Sequence, residues 1–274
     1  YLAQVKSGSP KATLIFDNGK KIQLNADDTF EIKIKNTIVK DGENTGLKYE
    51  LSDSLSTRET DETVEYNTLV VSRGGEYILT LSDGTKVWLN SETELKYPVR
   101  FSGNTREVSV KGEAYFDVAK DANCPFRVHV NDMQIEVLGT KFNVRCQRGE
   151  VETALFSGAV RLTAKGLSES YRLFPGRKSI YQPSAHSMQI CDNDTDIDGR
   201  WKDGYLAFDS EPLREVLRKI EDWYGVHIML NNKRIGDDLL TGAFYHETLE
   251  SVLSSLSMQY KFKYTINHDQ IEIR

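Results

Sequence analysis

The acidic run Asp194-Thr-Asp196-Ile-Asp198-Gly199 is the first stretch of this chain whose residue types and spacing could do chemistry. Alternating aspartates before a glycine open a calcium loop of the helix–loop–helix type, because carboxylates at that spacing converge on one cation. The twelfth position would be Tyr205 rather than a bidentate glutamate, and no helical pattern precedes the run. A solvated acidic linker is the better reading. His129, His186, His227, His246 and His268 stand singly, without a His-Glu-x-x-His pattern, paired cysteines or a facial set of histidine and carboxylate. Such histidines are structural or exposed rather than metal ligands. No Gly-x-Ser-x-Gly elbow and no phosphate-cradling glycine loop opens a helix. Arg73-Gly74-Gly75 precedes a strand pattern and reads as a turn or bulge. Trp88, Trp201 and Trp223 could stack on sugar rings, but Trp88 lies in an alternating strand and Trp223 at a helix end, where tryptophans pack. No catalytic, metal-binding or cofactor-binding residue is assigned, and no enzyme activity is expected.

The elements that would have to position any site come in two styles. In the last third, residues 207–235 shifted by 36 positions match themselves at Ala207/Ala243, Phe208/Phe244, Glu211/Glu247, Leu213/Leu249, Val216/Val252, Leu217/Leu253, Tyr224/Tyr260, Asn231/Asn267 and Ile235/Ile271. Self-similarity at a fixed period is a statement about fold. Each copy reads as strand, helix, strand, giving a small α/β domain of two βαβ repeats. Leu213, Val216, Leu217, Ile220 and Tyr224 share one helical face. Asp209-Ser210 with Pro212 marks a helix start, and Gly225 a helix stop. Glu211 and Glu247, at matching places, read as first-turn glutamates favoured by the helix dipole.

Residues before about 200 read as all-β, either a β-sandwich or a stacked β-roll. One hairpin turns at Asp17-Asn18-Gly19-Lys20 and a second at Ser82-Asp83-Gly84-Thr85, where Asn-Gly and Asp-Gly supply positive φ. Further strands are expected at 107–118, 126–130, 133–138, 141–146, 150–156, 158–164, 170–173 and 178–181. Ser52 to Thr63 reads as a mobile loop. The composition shifts near Cys191 to Gly199, which reads as a linker dividing a domain over 1–196 from one over 197–274.

The chain has 274 residues, 39% of them hydrophobic, enough for one large or two ordinary domains. A formal charge of −6 with interspersed signs argues against a nucleic-acid partner. No apolar run reaches a membrane span, and no signal peptide is evident. The start at Tyr1 rather than Met suggests a fragment or processed product, which leaves room for a membrane segment ahead of it. Cys124, Cys146 and Cys191 have no metal spacing and allow at most one disulfide; Cys146 reads as a small core residue.

A series of blocks in the middle of the chain is specific. Leu81-Ser-Asp-Gly-Thr-Lys-Val-Trp-Leu-Asn90 is followed by Leu95-Lys-Tyr-Pro98, Val110-Lys-Gly-Glu-Ala-Tyr-Phe-Asp-Val-Ala-Lys120 and Pro125-Phe-Arg-Val128. Then come Val137-Leu-Gly-Thr-Lys-Phe-Asn-Val144, Ser157-Gly-Ala-Val160 and Leu173-Phe-Pro-Gly176. This series resembles the periplasmic part of FecR-type anti-sigma regulators of Bacteroides-like bacteria over roughly 70–180. Residues 200–274 resemble the C-terminal domain of such regulators, which is similar to the secretin and TonB-receptor short N-terminal fold.

The resemblance implies a single-pass inner-membrane protein whose cytoplasmic segment holds an extracytoplasmic-function sigma factor. Its periplasmic sensor meets the signalling domain of a TonB-dependent outer-membrane receptor. The cytoplasmic segment and the membrane helix are absent from this chain, which is then the sensor half. Gly112, Glu113, Phe116, Gly139, Phe142 and Gly158 read as fold-makers. No cofactor is implied. The alternative is a secreted β-rich glycan-binding or adhesin module. Partner contact is placed at Tyr245 and His246, because they replace the Asp209-Ser210 helix start of the first copy, where a cap would be the structural choice.

Overall fold

The computed structural model describes residues 9–25, 29–34, 37–42, 46–51, 64–192, 197–232 and 234–274. Its strands run in chain order β1 (Ser9–Ile15), β2 (Lys21–Asn25), β3 (Phe30–Ile34), β4 (Thr37–Gly42), β5 (Gly46–Leu51), β6 (Tyr66–Val71) and β7 (Gly75–Thr80). They continue with β8 (Lys86–Leu89), β9 (Glu94–Pro98), β10 (Arg106–Lys111), β11 (Glu113–Asp117), β12 (Phe126–Val130) and β13 (Met133–Val137). The last six of this region are β14 (Lys141–Gln147), β15 (Glu150–Ser157), β16 (Val160–Ala164), β17 (Tyr171–Leu173), β18 (Arg177–Gln182) and β19 (Ser187–Asp192).

Pairing divides these strands into two layers. One runs β2-β1-β6-β9-β10-β12-β13-β16-β17. The other runs β3-β4-β5-β7-β8-β11-β14-β15-β18-β19. The chain passes from layer to layer: β12–β13 lies in the first, β14–β15 in the second, β16–β17 in the first and β18–β19 in the second. A short parallel pairing of β1 with β7 joins the layers into one continuous, nearly closed sheet. Strand alternation explains the core. Leu69, Leu95, Val128 and Ile135 of the first layer and Leu79, Phe116, Phe142 and Leu155 of the second are completely buried in one cluster. Both expected hairpins form, with Leu14 opposite Ile22 and Leu79 opposite Val87.

The single strand expected over 107–118 is two. Gly112, at φ +102°, breaks it, and a Cβ there would meet Thr93 Oγ1 at 2.6 Å. β10 therefore stays in the first layer while β11 crosses to the second. Ser52 to Thr63 lies outside the described residues. So do Asp194 and Asp196 of the acidic run, while Cys191 and Asp192 belong to β19 rather than to a linker.

The C-terminal region is small and α/β. It begins with α1 (Ile197–Arg200) and a 3-10 turn over Trp201–Asp203. Then follow β20 (Tyr205–Pro212), α2 (Leu213–Tyr224), β21 (His227–Leu230), β22 (Leu239–Tyr245), α3 (Leu249–Tyr260), β23 (Tyr264–Asn267) and β24 (Gln270–Ile273). β20 pairs antiparallel with β22; β21 pairs parallel with β24, and β23 antiparallel with β24. The strands before and after each helix thus lie in different sheets. The apolar helix faces meet beneath them, with Leu213, Val216, Ile220, Leu249, Val252 and Leu253 buried together.

The helix start differs from expectation. Asp209 and Ser210 belong to β20, where the register slips between Phe208 and Glu211 and Ser210 takes φ +50°. Pro212 caps α2, its fixed φ suiting that place. Glu211 accordingly precedes the helix and pairs with Lys219 at 2.5 Å, and Glu247 also lies outside any first turn. Gly225 does end α2 in the left-handed conformation.

Candidate functional site at the junction of the sandwich and the C-terminal region

Inward residues of the second layer fill the core, so their neighbours in sequence form its outer face. Register lines these up in rows. One row runs Trp88, Tyr115, Asn143, Ala154, Lys178, and the next runs Glu113, Arg145, Glu152, Ile180. The C-terminal region is seated on this face. Tyr115 belongs to the C-terminal apolar cluster, and Trp88 and Phe156 pack against it. The Lys202 ammonium lies 5.7 Å from the Trp88 ring and 5.0 Å from the Tyr115 ring, positions where a ring quadrupole attracts a cation.

A hydrogen-bonded chain crosses the seam. The Trp201 indole N–H donates to Asn143 Oδ1 at 3.0 Å. Asn143 Nδ2 donates to Glu113 Oε1 and Asn90 Nδ2 to Glu113 Oε2, each at 2.9 Å. Burial raises the Glu113 carboxyl above the usual carboxylate range, with Arg145 and the two amides opposing it. Burial also works against the Glu152 charge, but Arg145 and Lys178 outweigh it and hold that carboxyl low. Arg145 donates to Glu152 at 2.9 Å and sits between the two acids in the row.

Around this seam lies a cleft of about 370 Å³ lined by Glu113, Arg145, Asp198, Trp201, Lys219 and Trp223. A more polar cleft of about 660 Å³ continues it past Arg148 and Glu215. The charges here answer one another. Lys178 pairs with Asp198 at 3.4 Å, Lys219 with Glu211, and Arg148 with Glu215. Among the described residues no three His, Cys, Asp or Glu side chains gather as a metal site would need. The arrangement joins two parts of a protein.

Tyr245 and His246 lie elsewhere, at the end of β22. Tyr245 is 54% exposed and packs against Tyr205, directly opposite in the register, with ring centroids 4.4 Å apart and the planes tilted by 35°. The His246 ring lies 4.4 Å from Tyr245, and the His246 backbone N–H donates to the Gly204 carbonyl at 3.1 Å. The structure therefore brings the two together and adds Tyr205 and the Arg200 guanidinium, 5.8 Å from the Tyr205 ring. The motive for choosing them changes. His246, at φ +49°, repeats the backbone of Ser210 rather than replacing a cap, and the cap of α3 is Thr248, equivalent to Pro212. Trp201 and Trp223 are each only 7% exposed, which withdraws them as sugar platforms.

Sequence reading missed Glu113 and Asn143 as a pair, because Glu113 sits in a block dominated by core residues. The usable signal was parity. Glu113 and Tyr115, like Asn143 and Arg145, alternate with core residues on neighbouring strands, and an outer face carrying Trp88, Tyr115 and Phe156 must be covered.

Comparison with known proteins fits this architecture. The FecR protein family matches residues 67–161, and the FecR C-terminal family matches residues 205–273. Two crystal structures, at 1.65 and 2.50 Å, of a protein assigned as an anti-sigma factor from Parabacteroides distasonis ATCC 8503 are similar in fold. Each has TM-score 0.68 and 27% identity, over 76% of this chain and 98% of that one. No curated protein matches the chain. The chain belongs to the FecR family of anti-sigma regulators. β1 to β5 precede the family match and extend both layers.

Proposed function

We propose that this chain is the periplasmic sensor region of an inner-membrane anti-sigma regulator. It relays a signal from a TonB-dependent outer-membrane receptor to an extracytoplasmic-function sigma factor through protein–protein contact. The sigma factor is held by a cytoplasmic segment and the receptor by the region described here. The sandwich over 1–196 and the α/β region over 197–274 act as two domains. Among the described residues no helix is long and apolar enough to cross a membrane.

The observation that carries the reading is where apolar surface is left uncovered. Among the described residues Met229, Leu239, Tyr245, Met258 and Ile266 are exposed in the short C-terminal region, against Val64, Tyr66, Leu138 and Phe174 over the much longer sandwich. β22 pairs with β20 on one side, and its other edge has no strand partner among the described residues. An edge with free N–H and C=O groups beside exposed aromatic and aliphatic side chains suits addition of a strand from a partner. The region is further read as two βαβ-type repeats resembling the secretin and TonB-receptor short N-terminal fold. The identical 36-residue spacing of α2 and α3 supports this, as does the shared left-handed backbone at Ser210 and His246.

The test is a calorimetric titration of the chain against the signalling domains of TonB-dependent receptors from the same genome. Tyr245→Ala/His246→Ala should weaken binding about tenfold or more, as loss of an aromatic anchor does. Unchanged affinity in the folded variant removes these residues from the interface. Full binding after deletion of 197–274 rejects the C-terminal docking site.

A further inference from the structure

We propose that Glu113, Asn143 and Trp201 form a polarity-matched latch that fixes the C-terminal region on the sandwich. A carboxylate only accepts hydrogen bonds, an indole N–H only donates, and a primary amide has one end of each kind. Between an acceptor and a donor the Asn143 amide has one satisfying orientation, with nitrogen toward Glu113 and oxygen toward Trp201. The 2.9 and 3.0 Å contacts have that orientation. Asn90 occupies the second carboxylate oxygen, so Glu113 cannot turn away.

Burial makes this order matter. Asn143 is 3% exposed and Trp201 7%, and a buried donor or acceptor left unmade is costly. Trp201 also lies in the segment through which the chain leaves the sandwich for β20. Besides a backbone bond from the Gly74 N–H to the Asp222 carbonyl and an exposed contact of Arg73 with His227, the seam is crossed by ion pairs of Arg73 with Asp222, Arg148 with Glu215 and Lys178 with Asp198, partly exposed and of the kind that contribute little. When the latch opens, Trp88, Tyr115 and Phe156 lose their cover.

The latch makes a prediction that packing alone does not. Asn143→Asp is nearly isosteric and still accepts from the Trp201 N–H, but it sets a carboxylate against the Glu113 carboxylate, acceptor against acceptor. Adding Glu113→Gln restores the order, because the new amide donates to the carboxylate at 143 while its oxygen accepts from Asn90 Nδ2. Hydrogen exchange of the whole chain at about pH 8, which disfavours a shared proton, followed by mass spectrometry, reads the result over residues 197–212, with the β12–β13 hairpin as internal reference. N143D and W201F should each exchange about tenfold faster there, and E113Q/N143D should return to the wild-type rate. W201F keeps an aromatic ring and lies outside the sandwich strands, so it decides alone if N143D unsettles the reference hairpin. A wild-type rate in W201F, or in N143D with its reference hairpin unchanged, overturns the latch. A double variant that stays fast overturns the orienting role of Glu113.

Discussion

Gly74, in the turn between β6 and β7, lies against Gly225, the residue that ends α2: a Cβ on Gly74 would stand 2.9 Å from both the Gly225 Cα and its nitrogen. The Gly74 N–H donates to the Asp222 carbonyl at 3.0 Å, and Arg73 reaches the Asp222 carboxylate at 3.3 Å and a His227 ring nitrogen at 3.0 Å. A turn of the sandwich is thus keyed to the end of a helix in the other region. Gly74→Ala should cost about 2–3 kcal/mol, combining left-handed strain at φ +72° with a backbone that must move. Gly19, at φ +81° with nothing near its missing Cβ, is the control and should cost about 1 kcal/mol. Equal losses in denaturant titrations would show that the contact with Gly225 contributes nothing.

Arg106 ties the β7–β8 turn to the loop before β12. It meets Asp83 at 2.7 Å and donates to the carbonyls of Ala119 and Cys124 at 2.8 and 2.9 Å, while its guanidinium rests 5.3 Å from the Phe126 ring centroid. Side-chain exposure is 4% for Arg106 and 14% for Asp83, so removing one partner strands a buried charge. Arg106→Met should cost about 3–5 kcal/mol, and adding Asp83→Asn should recover part of it. A shift in urea midpoint worth less than about 1 kcal/mol, at unchanged slope, would reject this role.

Residues whose environment is set by near neighbours were legible in the sequence. Asp17-Asn18-Gly19 and Ser82-Asp83-Gly84 give their hairpins because positive φ at glycine is a local demand, and the apolar stripe of α2 is a local period. Two errors came from local rules that had competitors. Asp209-Ser210 looks like a cap, but Pro212 two residues on starts the helix, and the strand absorbs Ser210 as a bulge. The 107–118 stretch alternates throughout, yet Gly112 turns it from one layer to the other. The Glu113–Asn143–Trp201 chain was not legible. Its members are 30 and 58 residues apart, and only the strand register of β11 with β14 brings the first two together.

Glu76 on β7 sets a pH dependence. Burial raises its carboxyl from 4.5 to about 7, and no counter-charge among the described residues offsets this. Between those values the folded chain keeps a proton that the unfolded chain has released, so stability falls as pH rises across the window and levels off above it. From pH 5 to pH 8 the wild type should lose about 1–3 kcal/mol relative to Glu76→Gln, which has no proton to lose. Parallel stability curves for the two proteins over that range would remove Glu76 as the cause.

The two helix starts give the last prediction. In the second copy the Thr248 hydroxyl accepts from the Ser251 N–H at 3.3 Å, a side-chain cap at the first turn of α3. In the first copy the equivalent place is Pro212, which has no side-chain acceptor, and Ser210 stands two residues earlier inside β20. Thr248→Ala should therefore cost about 1 kcal/mol, the usual loss for a threonine cap. Ser210→Ala should stay within about 0.5 kcal/mol of wild type, because the Ser210 contact that matters is its backbone N–H to Thr241 Oγ1 at 2.8 Å, which alanine keeps. Thermal unfolding of both variants at one pH separates the cases. A loss at Ser210 equal to that at Thr248 would make Ser210 a helix cap after all, and the β20 bulge would no longer account for its left-handed backbone.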